Sequence, residues 1–200
     1  MKIVVGLGNP GKAYSLTRHN LGYRAVDAYC RLAGWEWSDE QCASRIAHGR
    51  VGASEVMLAK PQTFMNASGE AVVCLLERAG AVPSELLVVC DDVAIDLGSL
   101  RVRPRGSDAG HRGLRSISGQ LGTEDFPRLR IGIRTRASER EELAEHVLSP
   151  FGAGEREVVE QQIRRAAECI QAVLEQGIPQ AMNRYNRRQP ADVQDPDAPR

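Results

Sequence analysis

Near the N-terminus, residues 2–11 read KIVVGLGNPG. A short β-branched run followed by a glycine-rich turn predicts a buried strand that enters a loop. Further along, Asn20 stands where a helix N-cap is expected, apolar residues recur at helical spacing up to Leu32, and Gly34 follows as a stop signal. The first part of the chain therefore predicts a strand, a polar loop and a helix.

The rest of the chain also mixes strand-like and helix-like segments. Strands are predicted over residues 45–51, 55–60, 86–90, 100–103 and 128–133, and helices from Asn66 or Ser68 to Arg78 and over residues 114–121, 139–148, 155–176 and 179–187. This order predicts an α/β fold, a single domain with a mixed, twisted β-sheet flanked by helices, over residues 1–187. In such sheets, functional sites collect where the strands end. Residues 188–200, acidic and rich in proline, are predicted to form a disordered tail.

Charge is balanced over the whole chain but segregated along it. The 200 residues include 26 Lys plus Arg and 26 Asp plus Glu, yet residues 100–136 hold nine arginines against three acidic residues. This segment favours a phosphate-binding surface, because phosphate contact depends on the local field rather than on the net charge. Composition alone leaves a solvated strand face open as the alternative. Aromatic residues make up only 4% of the chain, which argues against base stacking as the main means of binding.

Composition also bears on location and redox chemistry. No apolar run approaches the roughly 18 residues of a membrane span, and residues 3–8 are too short for the core of a secretory signal, so a cytoplasmic protein is expected. No large excess of apolar segments points to a partner surface, and a monomer is expected. The cysteines lack a CxxC pair, which predicts neither a disulfide framework nor a zinc site and favours burial as small apolar residues. They are Cys30, Cys42, Cys74, Cys90 and Cys169.

Residues 6–11 match the G-x-G-x-x-G fingerprint of dinucleotide-binding sites, but their context does not fit it. Asp27, at about the distance expected of the ribose-binding acid, lies within the helical pattern rather than at a strand end. Pro10 lacks the backbone N–H that a pyrophosphate would use. No nicotinamide or flavin cofactor is therefore expected.

Two polar residues before predicted helices offer catalytic chemistry. His19 can present a neutral imidazole as a general base near pH 7, although a surface or capping role also explains it. The amide of Asn66 can hold a carbonyl or a water molecule, and an N-cap role is equally compatible with its position. His111, in the loop GHRG at residues 110–113, is left undecided.

Asp91 and Asp92 follow the apolar strand that is predicted to end at Cys90. A carboxylate at this place can orient a histidine and favour its imidazolium form. Paired acids at a strand end are also typical of magnesium sites, so a metal site remains the rival interpretation.

Several blocks of the sequence, taken together, resemble the signature of the bacterial-type peptidyl-tRNA hydrolase family. These blocks are VGLGNPG at residues 5–11, Tyr14, TRHNLG at residues 17–22, KPQTFMNASG at residues 60–69, Asp91-Asp92, GHRGL at residues 110–114 and FPRLRIGI at residues 126–133. The resemblance covers residues 1–187 in order.

The resemblance implies an esterase, independent of metal and cofactor, that cleaves the bond between a peptide and the 3′ end of tRNA in peptidyl-tRNAs released from ribosomes. It implies that His19 is the general base for water and that Asp92 orients it. The resemblance further implies substrate-binding roles for Asn9, Tyr14, Phe64, Asn66 and Arg112, contacts of Arg103 and Arg130 with tRNA phosphates, and a mobile lid over residues 139–151.

One position departs from the family pattern. The family block reads Gly-His-Asn-Gly, whereas this chain has Arg112 in place of the asparagine. Arginine keeps hydrogen-bond donors, loses the acceptor and adds a fixed positive charge. For Arg112, a pair with Asp108 and a contact with a terminal tRNA phosphate are both open.

The competing interpretation of the whole chain is an RNA-binding relative that has lost hydrolysis, and the presence of all four expected cleft residues weighs against it. Those residues are Asn9, His19, Asn66 and Asp92.

Overall fold

The computed structural model describes residues 1–135 and 142–187. Its strands are β1 (Lys2–Gly6), β2 (Asp39–Gln41), β3 (Ser44–Val51), β4 (Ser54–Pro61), β5 (Leu86–Asp96), β6 (Leu100–Arg103) and β7 (Arg128–Arg134). Its helices are α1 (Leu21–Leu32), α2 (Ser68–Ala79), α3 (Arg112–Leu121), α4 (Leu143–Leu148), α5 (Arg156–Gln176) and α6 (Ile178–Tyr185).

Within the described residues, seven strands form one mixed sheet in the order β2-β3-β4-β1-β5-β7-β6. The central strand β1 pairs in parallel with β4 and β5, and β5 pairs in parallel with β7. The pairs β2–β3, β3–β4 and β6–β7 are antiparallel. The carboxyl ends of four parallel strands therefore meet at one edge of the sheet, where α/β folds collect their functional sites.

Helices cover both faces of this sheet, because alternate residues of each strand point to opposite sides. Val4 and Val89 pack with α1, α5 and α6 on one face, and Ile3 and Val88 pack with α2 and α3 on the other. The predicted α/β architecture, with a mixed sheet flanked by helices, is confirmed. No helix in the described ranges combines the length and the apolar character that crossing a membrane requires.

Helix α1 crosses the end of β1 at very short distance. A Cβ on Gly22 would lie 2.3 Å from the carbonyl oxygen of Val89, and a Cβ on Gly6 would lie 2.5 Å from the carbonyl oxygen of Gly22. Real Cβ atoms do not approach so closely, so the crossing requires glycine at both positions. The crossing brings the residues just before α1, which include His19, to the edge where the parallel strands end.

Several boundaries differ from the sequence predictions. β5 does not end at Cys90 but continues to Asp96, so Asp91 and Asp92 lie within the strand. Asn20 stands at the N-cap position of α1 but does not cap the helix with its side chain. Of the helix predicted over residues 139–148, α4 covers Leu143–Leu148, Glu142 is extended, and residues 139–141 lie outside the described residues. The predicted tail at residues 188–200 also lies outside them.

Two of the five cysteines form a disulfide, which the sequence analysis did not predict. Cys42 and Cys74 are bonded across a sequence separation of 32 residues, with their Cα atoms 5.7 Å apart. Cys30, Cys90 and Cys169 are buried free thiols, as predicted. The prediction failed for the pair because its partners are brought together by the packing of the β2–β3 turn on α2, and sequence spacing carries no signal of such a contact.

Removal of this disulfide is expected to lower the free energy of unfolding by about 2–4 kcal/mol, because a cross-link restricts the unfolded chain. Urea unfolding of the oxidised protein and of a Cys42→Ala, Cys74→Ala double variant measures the difference. Under reducing conditions the two proteins should become much closer in stability. Thiol titration of the oxidised, denatured protein should find the three free cysteines only, and a count of all five would contradict the pairing.

Candidate active site

A cleft of about 430 Å³ opens at the carboxyl ends of the parallel strands. Its walls come from the loops after β1 and β4, residues 91–93 of β5, the loop before α3 with the start of that helix, and one side of α4. Nearly all of the predicted site residues line it, namely Asn9, Tyr14, His19, Phe64, Asn66, Asp92, Arg112 and Arg130. Asp91 and His111 line it as well. Arg103 lies outside this lining, on the edge strand β6.

His19 is buried at the cleft, on a short 3-10 turn that directly precedes α1. Its Nδ1 atom lies 2.8 Å from Oδ1 of Asp91, whose side chain is also buried. A carboxylate accepts hydrogen bonds only, so Nδ1 of His19 carries the proton in this contact. In the neutral ring, Nε2 of His19 is then unprotonated and available as a base.

His111 is the second histidine of this cluster. Its Nδ1 accepts hydrogen bonds from the backbone N–H groups of Gly113 and Leu114, at 3.1 and 3.3 Å, and so caps α3. The proton of the neutral ring therefore lies on Nε2, which donates to Oδ1 of Asp91 at 3.1 Å. The helix start thus fixes the tautomer of His111, and His111 in turn fixes Asp91 beside His19. Its position before a predicted helix was the sequence signal for such a role.

The electrostatics of the pair follow from burial and mutual attraction. Burial alone lowers the pKa of His19, but the charge and the hydrogen bond of Asp91 outweigh it, so that the pKa of His19 is raised above 6.5. Arg112 acts in the opposite direction. Burial of Asp91 raises its pKa, yet the two histidines outweigh this effect and hold the pKa of Asp91 well below its usual range. Asp91 is therefore an anion that can stabilise a protonated His19.

The prediction that Asp92 orients His19 is wrong, because the carboxylate in contact with His19 belongs to Asp91. Successive residues of a strand point to opposite faces, and β5 runs through both aspartates. Asp91 follows Val89 onto the face that α1 covers. Asp92 lies on the other face, where its Oδ2 accepts a hydrogen bond from Arg130 of the neighbouring strand β7 at 2.9 Å.

Asn9 connects two loops of the cleft. Its Oδ1 accepts a hydrogen bond from the backbone N–H of Met65 at 2.9 Å, which ties the loop after β1 to the loop after β4. The side chain of Asn20 binds the backbone N–H and carbonyl of Asn9, both at 2.9 Å. The predicted N-cap residue therefore supports the cleft instead of the helix. Asn66 and Phe64 remain exposed on the same loop, and Phe64 is 60% exposed.

The segment that follows α4 is anchored beside His19. The backbone N–H of Arg18 donates to the carbonyl of Ser149 at 3.1 Å, and its guanidinium binds both carboxylate oxygens of Glu155 at 2.9 Å. The side chains of Val147 and Leu148 form an apolar wall of the cleft. The described part of the predicted lid thus borders the cleft, and its mobility stays a prediction.

Five of the nine arginines in residues 100–136 fall into two groups. Arg101, Arg103 and Arg105 are exposed on and just after β6. Arg128 and Arg130 are buried, and both donate to backbone carbonyl groups of the loop before α3, including that of Ser107. These bonds hold the loop that carries His111, and the contact of Arg130 with a tRNA phosphate stays a prediction.

The one group of side chains in the described residues that could hold a metal ion is His19, Asp91 and His111, whose ligand atoms lie within 4.8 Å of one another. Its hydrogen bonds oppose that use. Nε2 of His111 would have to bind the metal, but it carries the proton of a ring whose Nδ1 already caps α3. Asp91 and Asp92 point to opposite faces and do not form a paired carboxylate site. The three side chains fit a hydrogen-bonded base better than a metal centre.

A family model described as peptidyl-tRNA hydrolase matches residues 3–193 of the chain. The chain belongs to the peptidyl-tRNA hydrolase family. The peptidyl-tRNA hydrolase of Aquifex aeolicus is 44% identical over 188 residues, which cover 94% of this chain and 97% of that protein. The one from Chloroflexus aggregans is 44% identical over 187 residues, 93% of this chain and 99% of that protein. The crystal structure of peptidyl-tRNA hydrolase from Acinetobacter baumannii is similar with a TM-score of 0.86 and 31% identity, covering 95% of this chain and 96% of that one.

Proposed function

We propose that the protein hydrolyses the ester bond between a peptide and the 3′ end of tRNA, and so recycles peptidyl-tRNAs released from ribosomes in the cytoplasm. The observation that carries this proposal is the array of His19, Asp91 and His111, which leaves Nε2 of His19 as a base at the cleft. Family membership supplies the substrate class. The relatives are named as hydrolases, so an inactive RNA-binding protein is not supported.

The reaction needs one proton transfer to His19 and one proton transfer from it. Nε2 of His19 takes a proton from water as the oxygen attacks the ester carbonyl, and the imidazolium then gives that proton to the departing 3′ oxygen of the ribose. Asp91 stabilises the imidazolium while it exists. The products are a peptide carboxylate, which releases the second water proton to solvent, and a tRNA with a free 3′ hydroxyl.

The asparagines are suited to hold the substrate at this base. Oδ1 of Asn9 is occupied by Met65, which leaves its N–H donors without a partner among the described residues. Together with the exposed amide of Asn66, they can donate to the oxyanion or to the first peptide carbonyl. The apolar wall and Phe64 suit the peptide side chains. A contact with the peptide amide would separate peptidyl-tRNA from ordinary aminoacyl-tRNA.

Release of N-acetyl-amino acid from N-acetyl-aminoacyl-tRNA tests the proposal, with unblocked aminoacyl-tRNA as the control. We expect cleavage of the blocked substrate only, undiminished by a chelator, from a protein that sediments as a monomer. Binding of tRNA without cleavage would contradict the proposed activity. Loss of cleavage in chelator would contradict the metal-independent mechanism.

The two arginines predicted to contact tRNA phosphates are expected to behave differently when replaced by alanine. Arg103→Ala should weaken tRNA binding, reduce its salt dependence by about one counterion and leave stability unchanged, because Arg103 is exposed. Arg130→Ala leaves the buried carboxylate of Asp92 without its charged partner, with the backbone N–H of Ala94 still donating to it, and should lower the free energy of unfolding by roughly 3 kcal/mol. Titrations with tRNA and urea unfolding measure both effects. Equal effects of the two variants on tRNA binding and on stability would contradict the division of these arginines into an exposed and a buried group.

A further inference from the structure

Among the described residues, Arg112 is the charged residue of the cleft that has no hydrogen-bond or ion-pair partner. Asp91 binds two histidines, Asp92 binds Arg130 at 2.9 Å, and Asp108 binds Arg115 at 3.3 Å. Arg112 makes no hydrogen bond or ion pair with residues 1–135 or 142–187. Asp108 therefore pairs with Arg115, and not with Arg112 as the sequence had left open.

The position of Arg112 in the cleft wall is fixed by the packing of α3. Arg112 is the first residue of that helix, between the cap His111 and Gly113. A Cβ on Gly113 would lie 2.6 Å from Sδ of Met65 and 2.9 Å from Cδ1 of Leu7, so the helix start is pressed against the loops after β1 and β4. Arg112 is exposed on this rigid base and lines the same cleft as His19.

The positive charge of Arg112 opposes the ester hydrolysis that we propose for the cleft. Its charge works against protonation of His19, which must carry a positive charge during the reaction. A bound anion at Arg112 removes this opposition. The substrate that the cleft accepts is therefore expected to bring a negative charge to within reach of both Arg112 and the ester.

We infer that Arg112 binds the phosphodiester on the 5′ side of the terminal adenosine of the tRNA, and that this contact selects nucleotide esters over simple esters. The inference rests on the proposed function. In the substrate, that phosphodiester is separated from the ester by a single ribose, and it is present in every tRNA. A planar guanidinium with several donors matches phosphate oxygens better than a carbonyl. An acidic peptide side chain would occur in only some substrates.

Two minimal esters separate the phosphate from the rest of the substrate. One is an N-acetyl-aminoacyl ester on the 3′ oxygen of adenosine, and the other is the same ester on the dinucleotide cytidylyl-(3′→5′)-adenosine, which adds one phosphodiester and a cytidine. The salt dependence of the difference and the Arg112→Lys variant separate the charge of the phosphodiester from the cytidine. The proteins are the wild type, Arg112→Asn, Arg112→Lys and the control Arg50→Asn. Arg50 is an exposed residue on β3, near the start of β1 and far from the cleft.

Arg112→Asn is expected to lower kcat/KM about tenfold for the dinucleotide ester and less than about twofold for the adenosine ester. Arg112→Lys should retain part of the preference for the dinucleotide ester over the adenosine ester, because lysine keeps the positive charge. Arg50→Asn should retain all of this preference. The tenfold difference should shrink as salt screens the contact. An equal loss on both esters would overturn the inference and assign Arg112 to the ester or the peptide. No loss on either ester would also overturn it.

Binding measurements keep this inference separate from the proposed activity. In Arg112→Asn, the dissociation constant of the unesterified dinucleotide should rise about tenfold and that of adenosine less than about twofold, and neither measurement involves hydrolysis. If the wild type cleaves no ester but shows this dependence, the proposed activity fails and the phosphate contact stands. If it cleaves both esters without the dependence, the phosphate contact fails and the proposed activity stands.

Discussion

Replacement of His19 by alanine is expected to lower kcat on N-acetyl-aminoacyl-tRNA by about 100- to 10,000-fold, the range typical of losing a general base. The reason is structural: His19 is the residue whose free ring nitrogen faces the cleft, while Asp91 and His111 are occupied in holding it. Affinity for tRNA should change by less than about twofold, because Arg103, the exposed arginine of β6 that we assign to a tRNA phosphate, remains in place. Single-turnover cleavage and tRNA titration measure the two quantities separately.

His48→Ala is the matched control for this experiment. His48 is exposed on β3 and pairs with Met57 of β4, away from the cleft. Its removal should leave cleavage, tRNA affinity and thermal stability unchanged. Wild-type cleavage in His19→Ala would rule out the proposed base. Unfolding of His19→Ala would be visible in the same stability measurement, and a conservative His19→Gln variant would then replace it.

The parts of the fold that were predictable from sequence are those that local patterns determine. The hairpin of β3 and β4 and the long helix α5 were found at nearly their observed bounds, because alternation and helical spacing can be read within a short window. The cleft residues were predicted from the resemblance to the peptidyl-tRNA hydrolase family, and the strand order of the sheet explains why they lie close together. The loops after β1 and β4 adjoin the end of β5, since β1 lies between β4 and β5 in the sheet.

The errors concern contacts between distant parts of the chain. The disulfide joins Cys42 to Cys74, and the side chain of Asn20 supports Asn9 rather than capping α1. The sequence around Cys42 and Asn20 gives no indication that Cys74 and Asn9 are their partners. The choice of Asp92 over Asp91 is a different kind of error, because a signal existed. Extending the strand past Cys90 and applying its alternation would have turned Asp91 toward α1, and thus toward His19.

Asp91→Asn and Asp92→Asn form a matched pair of variants that tests this assignment. Asp91→Asn removes the charge that stabilises the imidazolium and is expected to lower kcat about 100- to 10,000-fold. Asp92→Asn keeps an oxygen that can accept from Arg130 and should lower kcat less than about tenfold. Steady-state kinetics on the same blocked substrate gives both values.

The pH dependence distinguishes the two aspartates independently of rate. His19 acts as a base only when neutral, so kcat/KM should fall as pH drops through its pKa, which Asp91 holds above 6.5 in the wild type. In Asp91→Asn the raising effect is lost, and burial and Arg112 remain to lower the pKa of His19. The acid limb of the profile should therefore move to lower pH, whereas Asp92→Asn should leave it in place. A shift in Asp92→Asn alone would return the orienting role to Asp92 and contradict the hydrogen bond between Asp91 and His19.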